Sequence, residues 1–111
     1  MKKNVNKKLS IALIALLYLS QPVFGQTVIG VRDCGQWVKE SKSNISLKTW
    51  LIGFMSGLSE MHKFNRNKDD PLSKINSNEQ IYLWVDNYCQ KNPLEEIDSA
   101  GAALFIELMK K

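Results

Sequence analysis

The chain has 111 residues, 15 basic against 11 acidic, a single histidine, two cysteines and 44% hydrophobic residues. That length holds one domain, and with no repeat, low-complexity tract or Gly/Ser linker the composition excludes a multidomain, solenoid or disordered protein. The formal charge of +4 does not point to nucleic acid, because four of the 15 basic residues lie in the first 25 positions and the remainder balance the acids at 11 to 11.

Those first 25 residues, MKKNVNKKLSIALIALLYLSQPVFG, run from Lys2, Lys3, Lys7 and Lys8 through an apolar stretch, Leu9 to Leu19, to Val23-Phe24-Gly25. This is the order of a secretory signal peptide, and the apolar stretch is shorter than the roughly 20 residues that a membrane-spanning helix takes. Residues 1–25 are therefore expected to be cleaved, with no stable membrane anchor left behind. Residues 26–111 are expected to form one domain in the periplasm. A core of that size is marginal by itself, so a covalent staple is expected.

Asp33 followed by Gln36 predicts a capping box opening a short helix to about Ser41. Cys34 lies in this helix and Cys89 lies 55 positions on. In an oxidising compartment such a pair is expected to form a disulfide, which the chain-entropy relation values at about 4 kcal/mol. Two other readings of the cysteines are weaker. A metal site lacks a second ligand at short spacing, His62 being the only histidine, and a Cys-His nucleophile needs a free thiol.

A second helix is predicted from a Ser46 cap to about Phe64, with Leu47, Trp50, Leu51, Phe54, Leu58 and Met61 as its core face. Gly53 and Gly57 lie at the edge of that stripe and are expected to let another part of the domain approach closely, with a partner contact as the alternative. His62 is expected to sit half-buried at the core margin, with a pH-sensing role as the alternative.

Residues 65–76, NRNKDDPLSKIN, have no period and form the longest loop. Loops held by a rigid scaffold concentrate binding residues. Arg66, Lys68, Asp69, Asp70, Leu72, Lys74 and Ile75 are accordingly the candidate partner-binding residues, with Leu72 or Ile75 as the apolar anchor.

Ser77 with Gln80 predicts a third helix, with Ile81, Trp84, Val85 and Tyr88 facing the core, Cys89 at the edge of that face and Leu83 pointing away. Asn92, Pro93 and Glu95 predict the cap, first turn and capping box of a fourth helix, whose apolar face is Leu94, Ile97, Leu104, Phe105 and Leu108 around Gly101. No segment alternates with strand period, so the expected fold is all-α: a small bundle of about four helices stapled by one disulfide.

Cys34, the segment Gly53-Phe54-Met55-Ser56-Gly57 and the segment Val85-Asp86-Asn87-Tyr88-Cys89 together give a layout, over roughly residues 33–110, that resembles the small periplasmic HdeA-like proteins. The best-known of those are acid-stress chaperones, so the resemblance implies a helical bundle, possible homodimers and unfolded periplasmic clients. The layout is also similar to small exported immunity proteins of the Rap1a-like kind, which implies one dedicated toxin partner.

Catalysis finds no support. No serine sits in a nucleophile elbow, no glycine-rich loop follows a strand, and Asp69-Asp70 and Glu95-Glu96 read as a solvated loop and a helix start. The expectation is a non-catalytic protein that needs no cofactor and no metal, binds no nucleic acid and acts by protein-protein binding. Acid-stress chaperoning is the alternative, in which protonation of the carboxylates charges the chain and loosens its helices.

Overall fold

The computed structural model describes residues 27–111. The expected signal peptide lies outside the described residues. The helices are α1 (Cys34–Glu40), α2 (Ile45–Phe64), α3 (Asn78–Lys91) and α4 (Ile97–Lys110), with a 3₁₀ turn at Pro71–Lys74. The all-α expectation holds: among the described residues there is no strand, only an isolated antiparallel bridge between Asp33 and Glu96.

Helix α1 starts where its cap is, with Asp33 Oδ1 accepting from the Gln36 N–H at 2.8 Å. Helix α2 starts two residues earlier than its predicted cap would allow, because Asn44 rather than Ser46 is the N-cap and accepts from the Ser46 N–H at 3.1 Å. Ser77 does open α3, but without a side-chain cap bond, and Gln80 Oε1 accepts from the Asn76 N–H at 2.7 Å.

The largest departure is at α4. Asn92, Pro93 and Glu95 do not begin it, the helix starts at Ile97, and Leu94 is 97% exposed rather than on the apolar face. The Cys34 N–H donates to the Glu95 carbonyl at 2.8 Å, and the Ile97 N–H donates to the Arg32 carbonyl at 2.9 Å. Each pair satisfies the first unpaired N–H of a helix with a carbonyl from the chain before the other helix. A helix begun at Pro93 would turn the Glu95 carbonyl into its own ladder and leave Cys34 without that acceptor.

Helix α4 is the hub of the bundle: it packs on α2, on α3 and on the 3₁₀ turn, while α1 packs on α3. It accordingly buries Ile97, Ala100, Gly101, Leu104, Phe105 and Leu108. The Cys34–Cys89 disulfide joins α1 to α3 with both cysteines fully buried. On α2 the residues that reach the centre are Leu47, Leu51 and Met55, spaced by four. The predicted stripe is thus rotated: Trp50, Phe54 and Leu58 are half-buried along one flank and Met61 is exposed.

Close approach occurs at a different glycine from the two expected. A Cβ on Gly53 or Gly57 would meet nothing within 4 Å, whereas one on Gly101 would lie 3.0 Å from Phe54 Cδ1 and 3.2 Å from Met55 Sδ. Gly53→Ala and Gly57→Ala are therefore expected to stabilise the protein by about 0.5–1 kcal/mol each, through helix propensity alone. Gly101→Val is expected to destabilise it by about 1–3 kcal/mol through overpacking, and urea melts of the three variants check the contrast.

Candidate protein-binding surface

The 65–76 loop starts at the end of α2. The Arg66 N–H donates to the Lys63 carbonyl at 2.9 Å and the Asn67 N–H to the His62 carbonyl at 3.4 Å, the bonding pattern of a Schellman motif. The residue in the left-handed position of that motif is Arg66, with φ 64°. Glycine adopts this conformation without steric cost, and an arginine there loses on the order of 1 kcal/mol.

Most of the candidate loop residues are engaged within the fold. Asp69 Oδ1 lies 2.9 Å from His62 Nε2. Asp70 Oδ1 caps the 3₁₀ turn through the Leu72 N–H at 3.2 Å and accepts from Ser59 Oγ at 3.3 Å. Lys74 Nζ donates to the Leu108 carbonyl near the end of α4, where a cation also complements the helix dipole. Pro71 is fully buried, and Leu72 and Ile75 pack half-buried against the core. Leu72 and Ile75, the expected apolar anchors, line a shallow pocket together with Ile52, Met55 and Ile81. Of the seven candidates, Arg66, Lys68, Asp69, Asp70 and Lys74 are exposed, and of these only Arg66 and Lys68 have side chains outside the contacts just described.

His62 sits at the core margin, 14% exposed, edge-on to the Phe105 ring with centroids 5.6 Å apart. Its hydrogen bond holds the Asp69 carboxyl below the usual carboxylate range. It is the only close contact between an acidic and a basic side chain found among the described residues.

Part of the exposed apolar surface lies on the outer flank of α2. Residues 29–30 cover its N-terminal part: Trp50 Nε1 donates to the Ile29 carbonyl at 3.0 Å, and the Trp50 and Phe54 rings stack with centroids 5.3 Å apart. Beyond that cover the flank is bare. Met61 is 56% and Phe64 79% exposed, and with Gly57, Glu60 and Lys63 they line a shallow groove of about 530 Å³. The spacing of Gly53, Gly57, Met61 and Phe64 places them on one helix face, and Met61, expected on the core face, is exposed. Leu83 is exposed as expected, at 62%.

Trp84 and Tyr88 are anchored at the opposite side of the bundle. Their rings stack with centroids 5.7 Å apart, and Trp84 Nε1 donates to Glu107 Oε2 at 2.8 Å, tying α3 to α4. Both remain half-buried rather than central.

Among the described residues no three His, Cys, Asp or Glu side chains come together as a metal site would need, and no helix is long and apolar enough to cross a membrane. Both cysteines are held in the disulfide. The groove on α2 presents the apolar Met61 and Phe64 side chains beside one acid, Glu60, and one base, Lys63. Comparison with protein-family models, with curated proteins and with solved structures gave no match to this chain.

Proposed function

We propose that this is an exported, non-catalytic protein that acts in the periplasm by binding another protein. Its contact surface is the C-terminal half of α2 with the turn after it. The observation that carries the reading is the bare flank of Gly57, Met61 and Phe64 on a disulfide-stapled scaffold. Contiguous apolar surface left uncovered on a small soluble bundle commonly marks a partner site. Glu60 and Lys63 line the same groove, and Arg66 and Lys68, both exposed, follow in the chain. Toxin immunity and an accessory role in an envelope machine are two versions of this reading.

Photo-crosslinking in intact cells tests it. A crosslinking residue at position 64 is expected to yield one discrete protein adduct at neutral pH, with none from the same residue at position 94. Absence of any adduct from a scan across positions 29, 45, 61, 64, 83 and 94 sinks the reading.

The second reading is acid-stress chaperoning, favoured by the His62–Asp69 contact. Asp69 titrates below its ordinary value because of the His62 hydrogen bond, so its contribution to stability is present above about pH 4 and is lost as pH falls through the lower, folded-state value. Acid then releases one tie between the loop and α2. Suppression of client aggregation confined to about pH 2–3, and extended to higher pH by Asp69→Asn, supports this reading. Equal inactivity of both proteins throughout that range removes it.

A further inference from the structure

We propose that the cavity beside Trp84 and Tyr88 on α3 is a saccharide-binding site, in which the apolar face of a pyranose ring rests on the two aromatic side chains and its hydroxyls bond to Asn87, Lys91 and Asn92. The cavity shares no residue with the groove on α2 and does not depend on the protein-binding reading above.

Periodicity predicts Trp84 and Tyr88 on the core face of α3, yet both are only half-buried, and with Asn87, Lys91 and Asn92 they line a cavity of about 320 Å³. Small-molecule sites run from about 300 to about 1,000 Å³, so this one suits a ligand at the small end of that range. Its rings are held before any ligand arrives. Trp84 Nε1 donates to Glu107 Oε2 at 2.8 Å, which fixes the indole against α4 and occupies its N–H. The Tyr88 ring stacks on it, 17° from parallel with centroids 5.7 Å apart. A platform ordered in advance loses little conformational entropy on binding.

The lining selects the class of ligand. A pyranose presents a face of C–H bonds, polarised by the neighbouring oxygens, and an edge of hydroxyls. The electron-rich face of an indole or phenol ring attracts such C–H groups. Hydroxyls both donate and accept, and the lining offers groups of both kinds. Asn87 is exposed and brings a whole amide, and Lys91, also exposed, adds donors. Asn92 Nδ2 donates to the Tyr88 carbonyl at 2.9 Å, which leaves Oδ1 as an acceptor. An apolar side chain of a partner would use the rings and leave both amides unmatched. An ionic ligand would find one exposed lysine as the only charged group of the lining, and a single exposed ion pair contributes little.

The test titrates the intact, oxidised protein with cellotriose, maltotriose and triacetylchitotriose, followed by amide and indole N–H resonances, with sorbitol and phenylalaninamide as controls. At least one trisaccharide is expected to bind with a Kd of about 1–10 mM, the affinity that ordinary ligand efficiency gives a single sugar ring. The shifts should centre on Trp84, Asn87, Tyr88 and Asn92. Kd should change less than about twofold as salt rises from about 0.05 M to about 0.5 M, since no ion pair is made. Tyr88→Leu keeps an apolar side chain without the ring and is expected to weaken binding at least about tenfold. Asn87→Ala, at an exposed position, is expected to weaken it about threefold to tenfold with an unchanged melting temperature. No shift from any of the trisaccharides at about 50 mM overturns the proposal. Equal shifts from sorbitol, which has the hydroxyls without the ring face, or binding undiminished by Asn87→Ala, overturn it as well. So do shifts as large from phenylalaninamide, which would give the cavity to an apolar side chain of a partner protein.

Discussion

Replacing Cys34 and Cys89 together by serine is expected to destabilise the protein by about 4 kcal/mol, the value of the chain-entropy relation for a closed loop of this length. The two positions are 55 residues apart and tie α1 to α3. A domain of this size has a total stability of only about 4–13 kcal/mol, so the variant sits near the threshold of folding. In thermal melts the loss corresponds to a drop on the order of 15–30 °C. Both sulfurs are fully buried, so a thiol reductant is expected to act at the rate at which the bundle opens. Rapid reduction of the native protein, or a melting temperature lowered by less than about 5 °C, would show that the bridge contributes little.

Trp37 carries the second large effect. It is fully buried between α1 and α3, with the Tyr82 ring 6.2 Å from its own, yet its indole N–H finds no acceptor among the described residues. Trp37→Ala removes the largest side chain of the core and is expected to cost about 3–5 kcal/mol. Trp37→Phe keeps an aromatic ring in place and removes an unpaired buried donor whose desolvation costs about 1–3 kcal/mol. Its net effect is expected to stay within about 1 kcal/mol of wild type, because the lost indole contacts and the relieved donor offset each other. Urea unfolding of the two variants separates these contributions. A Trp37→Phe loss as large as that of Trp37→Ala would mean that the N–H is paired in solution.

The helical nature of every segment was legible because apolar residues recurred at intervals of three and four, and Asp33 marked the start of α1 correctly. The face that α2 turns inwards was not. Its apolar residues cover a wider arc than the core accepts, and the choice of Leu47, Leu51 and Met55 over Trp50, Leu58 and Met61 depends on where α4 lies. The glycines show the same limit: Gly53, Gly57 and Gly101 all lie within apolar runs, and only the position of Phe54 identifies Gly101 as the point of contact.

The candidate surface was half legible. Arg66 and Lys68 are exposed in the loop that follows α2, and the bare apolar side chains next to it are Met61 and Phe64 at the end of the helix. A charged loop advertises itself by composition, whereas exposure is a property of neighbours. At Asn92-Pro93 the local capping signals were sound, and the bridge between Asp33 and Glu96 overrode them by drawing the Glu95 carbonyl to Cys34.

By itself the sequence determined the all-α class, the four helical segments and the pair of cysteines available for a bridge, since these follow from interactions within a few residues or from simple counting. Tertiary structure alone decided where α4 begins, which glycine takes a close contact and which apolar residues remain bare, because each depends on groups far apart in the chain meeting across the bundle.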